Sequence, residues 1–308
     1  MTTAATETHK LAEALTKKVS PETVVRASEP LAKRTTLRVG GPADCYVEPV
    51  SEADLATVVA YCARRAVPFF VLGRGSNLLI RDGGIRGVVV CLAAPVFSQV
   101  KVAGERLHCG AGAKLKQVAV TARRHGLGGL EFLEGIPGSV GGALHMNAGA
   151  MGRATFDVLE SLRAMDHAGK VSDLLASEVE VEYRCCPFLQ NHIALGGVFL
   201  GTPAPEAQVG ERMNEFSNKR WSSQPAAPSA GCIFKNPAAI PAGKLVDELG
   251  LKGTRVGGAM VSLEHGNFIV NDGHATAADV LQLIELIKER ARRERGVELQ
   301  TEVEIIGE

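Results

Sequence analysis

Residues 134–150 read Glu-Gly-Ile-Pro-Gly-Ser-Val-Gly-Gly-Ala-Leu-His-Met-Asn-Ala-Gly-Ala, with glycine at 135, 138, 141, 142 and 149 and proline at 137. Glycine brings no packing area and loses the most backbone entropy on ordering, so this run is poor core material. What it permits is positive φ and a close approach of main-chain N–H groups to another molecule. A glycine pair alone would suit a tight strand–turn–strand connection. Five glycines with a proline favour a ligand site lined by backbone.

A second glycine loop lies upstream, Leu72-Gly-Arg-Gly-Ser-Asn-Leu-Leu79. Its N–H groups, Arg74 and the side chains of Ser76 and Asn77 suit a diphosphate; read alone it could equally be a polar turn. Two segments imitate the dinucleotide fingerprint. Gly110-Ala-Gly112 sits between a strand and a helix, with Glu131 and Glu134 near the distance of a ribose-binding acid, but Leu115 occupies the third glycine position. After Gly73-Arg74-Gly75 the apolar run Leu78-Leu79-Ile80 continues instead of a capped helix. No Gly-Lys-Ser/Thr follows either loop, which excludes a P-loop. Two separate glycine loops therefore bracket one α/β region.

The 308 residues predict two or three domains. Lys plus Arg equals Asp plus Glu, 34 each, so no global basic field points to nucleic acid. No apolar run approaches a membrane span, the N-terminus has no apolar signal core, and the chain reads as cytoplasmic. Seven scattered cysteines without a Cys-x-x-Cys pair argue against a disulfide framework and, with no paired histidines, no metal site is expected. Most of the cysteines read as small core residues.

Residues 1–30 are expected to be a helical or loose arm. Helices are expected from Ser51/Asp54 to about Arg65, over Leu115–Arg124 and Lys244–Leu249, and after Thr276, which caps a long helix with Asp279 third and Gly296 beyond its end. Strands are expected at 69–72, 88–92, 107–109, 193–200, 256–261 and 268–271, with a hairpin of 162–166 and 170–174 about His167-Ala168-Gly169. Thr202-Pro-Ala-Pro-Glu-Ala has linker composition. Residues 297–305 alternate as a last strand, Val297, Leu299, Thr301, Val303 and Ile305 on one face and Glu298, Gln300, Glu302 and Glu304 on the other.

The two loops, together with Thr35-Thr-Leu-Arg-Val-Gly-Gly, Tyr183-Arg184, Ala230-Gly-Cys-Ile-Phe-Lys-Asn-Pro237, Leu251-Lys-Gly, Val256-Gly-Gly-Ala, Asn267-Phe-Ile-Val-Asn and Thr301-Glu-Val-Glu-Ile-Ile-Gly, occur in the order seen in the UDP-N-acetylenolpyruvoylglucosamine reductase family, which the chain resembles from about 30 to 308. The resemblance implies an α+β fold: a two-subdomain FAD-binding region of the vanillyl-alcohol-oxidase/PCMH type (31–95 and 96–201) after an arm of 1–30, and a C-terminal α+β substrate-binding domain (202–308). It implies non-covalent FAD, NADPH as reductant, and reduction of the enolpyruvyl ether of UDP-N-acetylglucosamine enolpyruvate, a step of peptidoglycan synthesis. Hydride passes through the flavin to C3 and a proton is delivered to C2.

On that resemblance Gly73, Arg74, Gly75, Ser76, Asn77 and Leu78 lie at the FAD diphosphate. Gly135, Ile136, Pro137, Gly138, Gly141, Gly142, His145, Asn147 and Gly149 lie along its ribityl chain and ring. Arg184 matches the arginine at the substrate carboxylate, Glu302 the C-terminal glutamate, and Cys232 the proton donor that is serine in many members. A thiol, with a reference pKa of about 8.5, is protonated at neutral pH and a better acid than an alcohol. Tyr183, Arg220 and Asn236 match substrate contacts, whereas Ser223 stands where the family has a lysine. No tyrosine follows Tyr183, which resembles the shorter, type II form. An FAD-dependent oxidase of the same fold, or a non-catalytic flavin- or UDP-sugar-binding protein, are the competing readings; oligomeric state and protein partners are not legible.

Overall fold

The computed structural model describes residues 2–308, with side chains from residue 7; Met1 of the expected arm lies outside the described residues. The chain forms two units. One comprises Met1–Ala27, Cys45–Arg74 and Gly87–Lys219, the other Ser28–Asp44, Gly75–Arg86 and Arg220–Glu308. No helix among the described residues is long and apolar enough to cross a membrane.

The first unit has two apolar cores. One lies under the antiparallel sheet 171–175, 159–166, 192–200, 106–110, 100–103, in that spatial order. The expected helix Leu115–Arg124 closes it with the apolar stripe Leu115, Val118, Ala119 and Ala122. The second core gathers Cys45, Val47, Val88 and Val90 beneath the helix Glu52–Arg65, which contributes Leu55, Val58, Val59 and Cys62. Phe69–Val71 pairs in parallel with residues 88–90.

Of the two forms expected of the arm, helical or loose, it takes the helical one. It forms the helix Thr2–Thr16 and the strand Val24–Pro30, and Ala12 and Leu15 are buried in the second core. Asp54 anchors the connection between them. Its buried carboxylate accepts the Ser20 N–H (2.9 Å) and the hydroxyls of Ser20, Thr23 and Ser51 (3.0 Å each). Four donors on one carboxylate are a fold-specific feature that a polar sequence does not announce.

The stretch with linker composition also folds back. Thr202–Pro203 pairs with Leu127–Gly128, and the helix Glu206–Trp221 buries Val209 and Met213 in the first core. Val209 and Met213, at i and i+4, seat that helix with Phe216 partly buried beside them; Pro and Ala around them disguise it.

In the second unit, the strands Ser229–Cys232, Phe268–Asn271, Ala259–Val261 and Arg255–Val256 form an antiparallel sheet. The expected strand 256–261 is thus two strands, because Gly257 (φ 51°) and Gly258 turn the chain between Val256 and Ala259. The helix Ala277–Arg295 covers this sheet with Val280, Leu283, Ile284, Ile287 and Ala291. Its capping box is formed as read: Thr276 Oγ1 accepts the Asp279 N–H (3.1 Å), and Asp279 accepts the Thr276 N–H (3.0 Å). Asp82 adds a second cap, accepting the N–H groups of Ala277 (2.8 Å) and Ala278 (2.9 Å).

The last strand is shorter than expected. Only Glu304–Ile306 is strand, paired in parallel with Leu78–Ile80. Residues 297–303 alternate in burial but touch a neighbour strand-wise only at Thr301, opposite Phe234. The alternation recorded a half-buried extended segment, which needs no continuous ladder.

Candidate active site

In the first unit, the glycines of 134–150 separate by what surrounds them. The short helix Val140–His145 begins where Gly141 donates to the Ala111 carbonyl (2.7 Å), and a Cβ on Gly141 would lie 3.0 Å from Ala111 Cβ. A Cβ on Gly149 would lie 2.6 Å from the Arg153 oxygen. Gly141 is glycine because helix and Ala111 must touch, and Gly149 because the chain folds back on itself at Arg153–Ala154. Gly135 and Gly142 differ. A Cβ on Gly135 would meet nothing within 4 Å, and on Gly142 only the Ser139 hydroxyl at 3.7 Å. Internal packing does not require glycine there, so the space they leave open is available to a bound group.

Gly73, of the other loop, faces the same place: its Cβ would lie 3.0 Å from Ser139 Oγ. Ser139, 4% exposed, is therefore the side chain between the two loops. The glycine pattern offers no reason to single it out, although it sits inside the decisive stretch. Arg74 is exposed beside Gly73, as is Pro137; Ile136 packs partly against the core, and the Gly138 carbonyl accepts the Leu115 N–H at 3.2 Å.

Tyr183 and Arg184 form the tip of a two-residue turn, closed by Glu182 N–H to Cys185 oxygen (2.9 Å) and Cys185 N–H to Glu182 oxygen (3.3 Å). Arg184 has φ 59°, a conformation that costs a side-chain-bearing residue on the order of 1 kcal/mol. The turn is bound to the glycine stretch at three points. Arg184 Nη1 donates to the Gly149 oxygen (3.3 Å), Asn147 Nδ2 to the Glu182 oxygen (3.4 Å), and Cys186 N–H to the His145 oxygen (3.0 Å). The Arg184 guanidinium stands 5.2 Å from the Tyr183 ring centroid. Asn147 also accepts the Phe156 N–H (3.2 Å), so its side chain fastens the loop together, while the His145 ring is exposed.

The second unit holds the rest. Gly75 has φ 59°, and a Cβ there would lie 2.8 Å from the Arg34 oxygen; the Thr36 N–H donates to its carbonyl (3.2 Å). Leu78 is buried in the parallel pair, so it supports the loop from below. Asn77 Nδ2 donates to the Glu302 carbonyl (3.1 Å), and its own carbonyl accepts the Glu304 N–H (3.0 Å). The Glu302 N–H donates to the oxygen of Ile233, the residue after Cys232 (2.8 Å). Glu302 is half-buried, while Glu298, Gln300 and Glu304 are exposed, which separates it from the acids beside it.

Cys232 is half-buried at the end of a strand whose register shifts between Ser229 and Cys232, with Gly231 at φ 77°. Cys45, Cys62, Cys109 and Cys186 are buried as expected, and burial pushes the Cys62 thiol up to about 11 and Cys109 to about 12. Asn267, 2% exposed, clasps the segment after Cys232: it accepts the Phe234 N–H (2.9 Å) and donates to the Phe234 oxygen (2.8 Å). Nothing in its sequence motif distinguishes such a clasp from a surface amide. Asn236 accepts the Ala242 N–H (3.0 Å), which caps the helix Ala242–Glu248 and fixes the side chain. Arg220 sits one residue from the end of its helix, against Trp221. Among the described residues no three His, Cys, Asp or Glu side chains are grouped to hold a metal ion.

Residues 43–174 match the model described as FAD binding domain. The open glycine positions, the exposed arginine at Gly73 and the buried hydroxyl between the loops fit that group, and the chain is a flavoprotein oxidoreductase of α+β architecture. Residues 224–306 match the model described as UDP-N-acetylenolpyruvoylglucosamine reductase, C-terminal domain. Curated reductases of that name from Geobacter metallireducens and Carboxydothermus hydrogenoformans are 45% and 42% identical, over 91% and 97% of this chain and 93% and 99% of theirs. The crystal structure of the reductase from Thermus caldophilus superposes with a TM-score of 0.80 at 38% identity, covering 93% of this chain and 99% of that one. The chain belongs to the UDP-N-acetylenolpyruvoylglucosamine reductase family.

Proposed function

We propose that this protein is the FAD-dependent reductase that converts UDP-N-acetylglucosamine enolpyruvate to UDP-N-acetylmuramate for peptidoglycan synthesis, drawing its electrons from NADPH in the cytoplasm. Residues 31–95 and 96–201 serve as the FAD-binding parts and 202–308 as the substrate part, a functional division that differs from the structural one, in which 28–44 and 75–86 fold with the second unit and 202–219 with the first. Bound FAD supplies the two-electron relay between the nicotinamide and C3 of the enolpyruvyl group.

The chain's own residues supply the rest. Arg184 offers a planar guanidinium to the substrate carboxylate, where negative charge grows as C3 is reduced. Cys232 gives its thiol proton to C2. Glu302 flanks that step, and the hydrogen bond of its backbone to Ile233 carries the assignment, because it ties the glutamate to the residue following the thiol. Tyr183, Arg220 and Asn236 hold the nucleotide sugar. Gly135 and Gly142 leave room for the flavin, with Gly73, Arg74 and Ser76 toward its diphosphate.

The test is anaerobic. NADPH should bleach the flavin of the purified protein, and stoichiometric UDP-N-acetylglucosamine enolpyruvate should restore its colour. A flavin that NADPH does not bleach, or that the enolpyruvyl sugar does not reoxidise, removes the reading.

A further inference from the structure

The one tryptophan of the chain lies in water. Trp221 is 58% exposed, although a buried indole is among the largest apolar contributions available to a fold. It ends the helix Glu206–Trp221, off the stripe that buries Val209 and Met213. The Arg220 guanidinium carbon stands 5.4 Å from its ring centroid, a cation–π contact that holds the indole in place. The backbone beneath is fixed as well, since the Arg220 carbonyl accepts the N–H groups of Ser223 (3.1 Å) and Gln224 (2.9 Å). Arg220 and Trp221 thus present a guanidinium and a planar face together. That combination fits a ligand carrying a planar base next to a diphosphate.

We propose that Trp221 is a specificity-determining residue whose indole stacks on the uracil ring of the nucleotide sugar, with Arg220 turned to the diphosphate. The proposal rests on the function proposed above and extends it to a residue outside the matched C-terminal domain, which begins at 224. The adenine of NADPH shares the same chemistry, so the test separates the two bases.

In the holoenzyme, indole fluorescence reports this single side chain. UDP should quench it saturably, whereas inorganic pyrophosphate and 2′,5′-ADP should not. Trp221→Ala should raise the UDP dissociation constant, measured by calorimetry, about tenfold. The KM for the enolpyruvyl sugar nucleotide should rise in parallel while that for NADPH stays, and Trp221→Phe should recover most of the loss. Flavin content and melting temperature establish that the variants are folded. Unchanged UDP affinity in Trp221→Ala, or quenching by 2′,5′-ADP alone, overturns the proposal while leaving the reductase reading intact. Failure of the enolpyruvyl sugar to reoxidise wild-type flavin overturns both.

Discussion

Asn77 and Glu302 are 225 residues apart in sequence, and the side-chain amide of the first donates to the backbone carbonyl of the second at 3.1 Å. With the Glu304 N–H on the Asn77 carbonyl (3.0 Å), the end of a glycine loop and the segment bearing Glu302 share a clasp. Asn77→Ala is therefore expected to slow reoxidation of reduced enzyme by substrate about 10- to 100-fold by releasing Glu302. The stability cost should be only about 1 kcal/mol. Stopped-flow measurement of the two half-reactions checks it: reoxidation at the wild-type rate would show that Glu302 is held without Asn77.

Cys232→Ala should leave bleaching by NADPH in place and slow reoxidation by about 10²- to 10⁴-fold, the range of a lost general acid. Cys232→Ser should retain far more activity, because a hydroxyl still carries a proton to C2. Rapid-mixing spectra of both variants decide; equal reoxidation in Cys232→Ala and wild type would remove the thiol from the reaction.

Two glycines of one loop should respond in opposite ways. Gly135→Ala meets no atom within 4 Å and lies outside the positive-φ glycines, so the apoprotein should keep its melting temperature while FAD affinity falls. Gly141→Ala pushes against Ala111 at 3.0 Å and should destabilise the apoprotein itself by roughly 1–3 kcal/mol. Apoprotein melting curves with FAD titration separate the two effects.

Asp54 makes a pH prediction. Burial opposes its charge, but the Ser20 N–H and the hydroxyls of Ser20, Thr23 and Ser51 outweigh it and hold the carboxyl below the usual carboxylate range. A depressed folded-state pKa gives stability that is complete above the unfolded value of about 3.9 and is lost as pH falls through the folded one. Asp54→Asn should cost about 1–3 kcal/mol at pH 7. The gap between variant and wild type should narrow below about pH 4, as read from urea midpoints; a gap that is constant with pH would assign the loss to packing alone.

Much of this protein was legible along the chain because its signals are local. The capping box at Thr276, the apolar stripe of Leu115–Arg124 and the hairpin about Gly169 each depend on residues within a few positions of one another. Ordered glycine loops also survive as a pattern, since a backbone that must approach a ligand tolerates no side chain wherever the fold places it. The misread elements share a cause. The stretch after Thr202 and the turn at Gly257 look Pro-rich or continuous locally, and acquire their form from partners elsewhere: the strand Leu127–Gly128 and Asp279.

By itself, the sequence determined the class of cofactor and the residue types that the chemistry needs, through motifs whose order alone is informative. Only the tertiary structure decided which of those residues hold the fold and which are left facing open space. It sorted Gly141 from Gly135, turned Asn77 and Asn147 into clasps and set Glu302 apart from its neighbouring acids. The physical reason is that a side chain's role depends on which donors, acceptors and voids surround it, and those are contributed by residues tens to hundreds of positions away.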